Sequence, residues 1–374
     1  MQNRLVSVDA LRGFAALWVF AYHLWNVFAP GYSPQGSPKD HVPLTSDTPL
    51  GVILTYPICA YGYTGVGLFF VLSGFCIHLP QARRFHRTGD DRLEPREFFR
   101  RRFWRLYPAY AASLLLGAAA LGAMTAPVQQ IGLYVAVNAC FLLAMRPDAL
   151  MLGPVYWTLW YEVQFYLLYP LLLKLVRRVG FGSIGVVLLG CELAFALLPV
   201  PELLKPMEQH FEWLFLRRYF EWFLGMWLAE QVAQGKSISR SVALLIVVVG
   251  AAAGVIGSHT PFLWPLHELF LALGSFGVVA WLTHPAFEPT SEGVGGKVRS
   301  AFAWLGDSSY SLYLIHMPMM RLINAAVVQL PDTVREHSGY TIFGITSALV
   351  VPVTAYLWYR LFEKPYLPVP TPAK

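Results

Sequence analysis

Charge is what this 374-residue chain has least of: Asp, Glu, Lys and Arg together make up 13% of it, against about 25% in an ordinary soluble domain. With 56% hydrophobic residues and a mean hydropathy of +0.48, that shortage argues against a water-soluble fold. Cysteine is scarce too. The four, Cys59, Cys76, Cys140 and Cys191, lie in or beside apolar stretches with no CxxC or metal-like spacing, so they read as buried small hydrophobes and no metal site is expected. No internal repeat is visible, which removes the usual mark of a transporter with duplicated halves. A small-x-small cleavage site is also missing after Arg4 and the first apolar run, so that run reads as a retained span rather than a signal peptide.

What is present is a series of apolar stretches. A hydrocarbon core about 30 Å thick needs about 20 apolar residues per helix. Eleven stretches qualify: 9–29, 58–80, 103–123, 128–146, 155–176, 181–199, 211–230, 241–258, 262–284, 303–326 and 340–362. The segment 81–105, read as a loop, carries nine arginines and belongs on the cytoplasmic side if positive charge marks the inside. Lys174–Arg178, Lys236–Arg240, Lys297–Arg299, Lys364 and Lys374 follow the same rule, whereas 30–50, rich in Pro, Ser and Asp, suits an external loop. Both termini then lie in the cytoplasm, which requires an even number of crossings. The misfit is 128–146, short and holding Gln129, Gln130 and Asn138, so ten spanning helices are expected. The expected fold is all-α: a polytopic transmembrane bundle forming one domain over 1–367, with a short cytoplasmic tail at 368–374. The net charge of +6 sits between apolar runs, where topology accounts for it, so no nucleic-acid partner is expected and the partner is the lipid bilayer.

Polar side chains inside spans are costly, which makes them the place to look for chemistry. Arg12 and His23 are eleven residues apart, and eleven steps of about 100° return to within about 20° of the start with a rise of about 16 Å. They share one face at two depths. Asp9 stands one turn before Arg12 and Asn26 one turn after His23. A neutral His23 suits a general base on a hydroxyl, because imidazole titrates near operating pH; Arg12 suits the anionic part of a donor. The bland alternative is that Arg12 snorkels to the interface and His23 bonds a neighbouring helix.

Three further features carry polar groups. Arg100-Arg101-Arg102-Phe103-Trp104-Arg105 stands at the inner mouth of a span, where Arg101, Arg102 and Arg105 could grip phosphates or merely anchor topology. The run 155–166 places Glu162 among aromatic residues with Tyr166 one turn on, and a buried Glu needs a partner or a proton. In 307–316, Ser309, Tyr313 and His316 fall on one helix face; Ser309 and His316 are about 10 Å apart along the axis, too far for a direct pair, so helix-packing bonds are the stronger reading. Ser73-Gly74 likewise reads more readily as a close helix contact than as chemistry.

In this order the features resemble the acyltransferase-3 family of membrane O-acyltransferases. The resemblance runs from Asp9 to Pro365: Leu5–Ala16 followed by His23 keeps the family's Arg-x10-His spacing. Phe69–Phe75, Arg102-x-x-Arg105, Trp157–Tyr166, Ser309–His316 and Glu363-Lys364-Pro365 are similarly placed. The resemblance implies a ten-helix bundle that moves an acyl group, acetyl first of all, from cytoplasmic acetyl-CoA or another acyl-CoA to a hydroxyl. The acceptor it implies is a carbohydrate, a lipid-linked glycan or another hydroxylated small molecule. His23 and Arg12 would be the leading catalytic pair, Glu162 would be functionally important, and Arg102 and Arg105 would lie on the donor side. The chain ends about ten residues after Glu363, so a stand-alone unit without the family's hydrolase-like extension is expected, in the bacterial inner membrane. The rival from another class is a transporter or flippase using Arg12, His23 and Glu162 as a substrate or proton path.

Overall fold

The computed structural model describes residues 6–35, 38–199, 205, 215–285 and 293–367. Arg4, Lys374, the start of the 211–230 stretch and the tail 368–374 lie outside the described residues. Within them the chain is all helical, with no strand. The helices are Val6–Phe28 (α1), Leu50–Cys59 (α2), Gly65–Thr88 (α3), Pro95–Ala123 (α4), Val128–Ala139 (α5), Trp157–Val179 (α6), Phe181–Leu197 (α7), Tyr219–Ala233 (α8), Arg240–His259 (α9), His267–Leu282 (α10), Gly293–Asp307 (α11), Ser309–Val328 (α12) and Asp332–Trp358 (α13).

Among the described residues, six helical stretches are long and apolar enough to cross a membrane: 50–88, 95–123, 240–259, 264–282, 309–328 and 332–366. The protein is a multi-pass membrane protein. α1 and α6, at 23 residues each, are about 34 Å long and also reach across a bilayer. Polar and aromatic residues make both less apolar than the other six, and of these Arg12 on α1 and Thr158, Glu162 and Tyr166 on α6 turn inward to one cavity. α5 has 12 residues, about 18 Å of helix, which is short of a 30 Å hydrocarbon core.

Three expectations from sequence need correcting. The cysteines are not buried: Cys76 and Cys140 are exposed and Cys59 and Cys191 half-buried. The arginine-rich 81–105 is not a loop: α3 continues to Thr88 and α4 starts at Pro95, leaving only 89–94 between them. Arginine and glutamate are good helix formers, so the charged run extends both helices beyond their apolar cores, and Pro95 suits a first helical turn. The stretch 303–326 is not one helix either. It breaks at Ser308 between α11 and α12, and Ser309 closes the corner by donating to the Gly306 carbonyl at 2.8 Å.

Burial ranks the helices from centre to lipid. The apolar window of 50–88 is 78% buried, whereas that of 332–366 is 22% buried, so α3 forms the centre and α13 faces outward with Ile345, Leu349 and Val353 exposed. Those apolar side chains are what lipid replaces water against. α3 packs closely on α8, α9 on α10, α1 on α11 and α12 on α13. At the α3–α8 crossing, a Cβ on Gly74 would run into the Trp222 carbonyl and one on Gly225 into the Val71 carbonyl. Small residues let the backbones meet there. Gly180, at φ +87, turns the chain from α6 into α7 in a single residue.

Candidate active site

One cavity of about 140 Å³ collects most of the polar residues singled out from sequence. α1 contributes Arg12, α3 Ser73 and Cys76, α4 Arg102 and Arg105, α6 Thr158, Glu162 and Tyr166, and α12 Ser309, Tyr310 and Tyr313. The helical periods explain the convergence. Arg102 and Arg105 are one turn apart on α4, Glu162 and Tyr166 one turn apart on α6, and Ser309 and Tyr313 one turn apart on α12.

The carboxylate of Glu162 is held from two sides. Tyr166 donates to it and Ser73 donates at 3.0 Å, while the Trp222 indole donates to the Ser73 oxygen at 3.2 Å. Adjacent residues of α3 thus divide the work: Gly74 makes the close contact and Ser73 reaches the site. The three arginines are compensated unequally. Arg12 stands 3.9 Å from Asp9 and Arg105 3.5 Å from Glu363. Arg102 has no carboxylate partner among the described residues; its guanidinium lies over the rings of Phe98 and Tyr166, at 5.5 and 5.9 Å, and its buried Nε is unsatisfied. A half-buried cation with a buried, unsatisfied donor suits an anion.

Glu363 is the residue that sequence reasoning left without a role. α13 ends in one widened turn, Tyr359–Glu363, of π geometry, which carries Glu363 back into the core at 1% exposure. There it accepts from Ser311 at 2.8 Å and faces Arg105. A lone Glu near the end of the last apolar run was the available signal.

A second polar group lies farther along α1. The His23 and His316 rings are 5.1 Å apart at 36°. His316 is buried, with Nδ1 donating to the carbonyls of Tyr313 at 2.8 Å and Leu312 at 3.1 Å. That bond leaves the Nε2 lone pair bare, without a partner. Tyr313 links the two groups: it lines the cavity, its ring lies 5.8 Å from that of His316, and its hydroxyl is fixed by Thr158 and by the Val155 carbonyl. α1 and α12 therefore run side by side in the same direction, with His23 beside His316 and Arg12 toward the Ser309 end. The face shared by Arg12 and His23 is a face toward α12.

Some residues are not brought in. His23, His316, Asp9 and Asn26 do not line the cavity; Asn26 stands against the Tyr22 hydroxyl. Arg101 points outward on α4, its side chain 68% exposed and bonded to Glu97 at 2.5 Å. Among the described residues, no three or more His, Cys, Asp or Glu side chains cluster as metal ligands would.

Residues 5–358 match the acyltransferase domain family Acyl_transf_3. The chain is 25% identical over 341 residues to the Acyltransferase MdmB of Streptomyces mycarofaciens, covering 85% of this chain and 79% of that one. It is 23% identical to the O-acetyltransferase OatA of Staphylococcus aureus, over 96% of this chain and 57% of the relative. To the Peptidoglycan O-acetyltransferase OatA of Listeria monocytogenes it is 24% identical, over 96% and 55%. The chain thus spans a little over half the length of these two relatives. No solved structure matches.

Proposed function

The chain belongs to this acyltransferase family and is an enzyme of acyl transfer, and from that premise we propose that it moves an acyl group, acetyl first of all, from cytoplasmic acyl-CoA to a hydroxyl of a carbohydrate or glycoconjugate. The observation that carries the reading is the unpaired Arg102 beside Arg105 and Arg12 in one cavity. Coenzyme A brings phosphates, and bidentate guanidinium contacts are the strong form of phosphate recognition. The cations fit such a donor, and Phe69, Phe70 and Leu106 supply apolar wall for its thioester arm.

In this reading the phosphates rest on Arg102 and Arg105, Arg12 orients the donor, and the acyl carbonyl points along α12 toward the histidines. His23 takes the proton of the acceptor hydroxyl as its oxygen bonds to the thioester carbon. The carbon–sulfur bond breaks and the proton returns to the departing sulfur, giving ester and free coenzyme A. Glu162, fixed by Ser73 and Tyr166, orients groups between the two ends. Ten crossings with both termini cytoplasmic, in one unit over 1–367 of a bacterial inner membrane, suit this path: donor phosphates enter at the arginine-rich side and the acceptor arrives from the other. The O-acetyltransferase relatives support a carbohydrate acceptor.

The test is transfer by purified protein in lipid nanodiscs from labelled acetyl-CoA, together with mass spectrometry of surface glycans and secreted small molecules with and without the gene. Turnover that is unchanged in His23→Ala and Arg12→Ala removes the roles assigned to them.

A further inference from the structure

A second, smaller hollow lies back to back with the arginine cavity; Val66 lines both, and Trp157 and Thr158, consecutive on α6, stand one on each side. Gln35, Tyr63, Trp157, Arg218 and Glu268 form its polar rim. It sits at the depth of His23. The Gln35 side-chain oxygen accepts from the Tyr22 hydroxyl at 2.5 Å, and the Tyr22 ring lies 5.0 Å from His23 and 5.7 Å from Tyr63.

Tyr63 is 6% exposed, and its hydroxyl is buried without a hydrogen-bond partner. A phenol so placed needs a group to bond. Arg218 is already answered by two carboxylates, Glu221 at 3.0 Å and Glu268, and stands over the Trp157 ring at 5.7 Å. The only cation among the lining residues is thus already neutralised, which leaves no spare positive charge there to hold a phosphate. Glu268 keeps 32% of its side chain exposed while bonded to Arg218, so acceptor capacity remains at the rim. Amide, phenol and carboxylate beside the apolar wall of Leu271 and Ala272 match a neutral molecule whose hydroxyls both donate and accept and whose carbons present an apolar face. An alkyl chain would leave Tyr63 unsatisfied. The free space is about 20 Å³, which admits one hydroxyl-bearing edge of a sugar and leaves the rest of the molecule outside.

We propose that this hollow is the acceptor subsite, gripping a neutral sugar by one hydroxylated edge next to His23. The assignment rests on the acyl-transfer reading above, but binding can be measured without the chemistry. The probe is an N-acetylglucosamine tetrasaccharide, read by saturation-transfer NMR on protein in nanodiscs, with Gln35→Ala and Tyr63→Phe as variants. Tyr63→Phe removes a hydroxyl that has no bond within the fold, and acetyl-CoA affinity by calorimetry checks that both variants remain folded. The expected result is saturation transfer to the tetrasaccharide from the parent protein, reduced at least about fivefold in each variant, with acetyl-CoA affinity unchanged. Equal saturation transfer in parent and variants, or none in the parent, overturns the subsite. Binding that behaves as expected while no acyl label reaches any acceptor upholds the subsite and instead overturns the acyl-transfer reading.

Discussion

His23 and His316 face each other at 5.1 Å, and only one of them is fixed: His316 is tied by Nδ1 to two backbone carbonyls of its own helix, while neither ring nitrogen of His23 bonds a described residue. In the proposed reading His23 takes the proton, and His316, with Nδ1 tied and Nε2 free, supports that ring. Truncation should follow that division. His23→Ala should lower the rate of acyl transfer about 10²–10⁴-fold, the usual worth of a general base. His316→Ala should lower it less. Both should leave the donor affinity where it was, as single-turnover kinetics and calorimetry would reveal; a His316 variant worse than the His23 variant would reverse the roles.

The two adjacent arginines Arg101 and Arg102 should separate cleanly. Arg102→Ala should weaken acetyl-CoA binding about 10–100-fold, since a hydrogen bond to a charged group is worth roughly 1.5–3 kcal/mol. Arg101→Ala should change it by less than about twofold, because its pair with Glu97 is on the surface, where such pairs contribute about 0–1 kcal/mol. Isothermal titration on both variants decides it, and equal losses would remove the distinction drawn between the two residues.

The Arg105–Glu363 pair joins α4 to the end of α13. Breaking a buried ion pair from one side costs roughly 3–5 kcal/mol, and the part-exposed Arg105 puts this one toward the low end. Glu363→Ala should therefore lower thermal stability markedly in nanodiscs. Glu363→Gln, able to keep the Ser311 bond, should cost less. If both variants melt with the parent protein, the pair holds nothing together.

At the α3–α8 crossing the backbones leave no room for a side chain. Gly74→Leu and Gly225→Leu should each destabilise at or above the roughly 1–3 kcal/mol of an overpacked core. The fraction of monodisperse protein in size-exclusion chromatography should fall in each. Gly190→Leu, where a Cβ meets nothing within 4 Å, is the control expected to behave as the parent.

Much of the site could be read in the sequence because its residues repeat at helical spacing. Arg12, Arg102, Arg105, Glu162, Tyr166, Ser309 and Tyr313 line one cavity, each on a helix whose apolar run was visible. What could not be read depends on contacts between helices. Arg101 and Arg102 are adjacent in sequence, and only the packing of α4 decides that one faces solvent and the other the cavity. Glu363 needed the widened turn at the end of α13, which hydropathy does not encode. Ser73 looked like a packing residue because Gly74 beside it is one. The break at Ser308 was hidden because apolar runs on its two sides merge into one hydrophobic stretch. Charge misled in one place: the arginine-rich segment read as a loop is mostly helix, because arginine carries a helix out of the membrane without ending it.

In the proposed reaction Arg102 and its neighbours hold an acyl donor whose acyl group passes to a hydroxyl beside His23. The most direct measurement is mass spectrometry of an N-acetylglucosamine tetrasaccharide incubated with the purified protein and ¹³C-acetyl-CoA, for the parent, Arg102→Ala and His23→Ala. An ester-linked ¹³C-acetyl group should appear on the sugar with the parent protein and be nearly lost in both variants. Labelling that persists in both variants, or flux of the sugar across proteoliposomes with no donor present and no label gained, would contradict it.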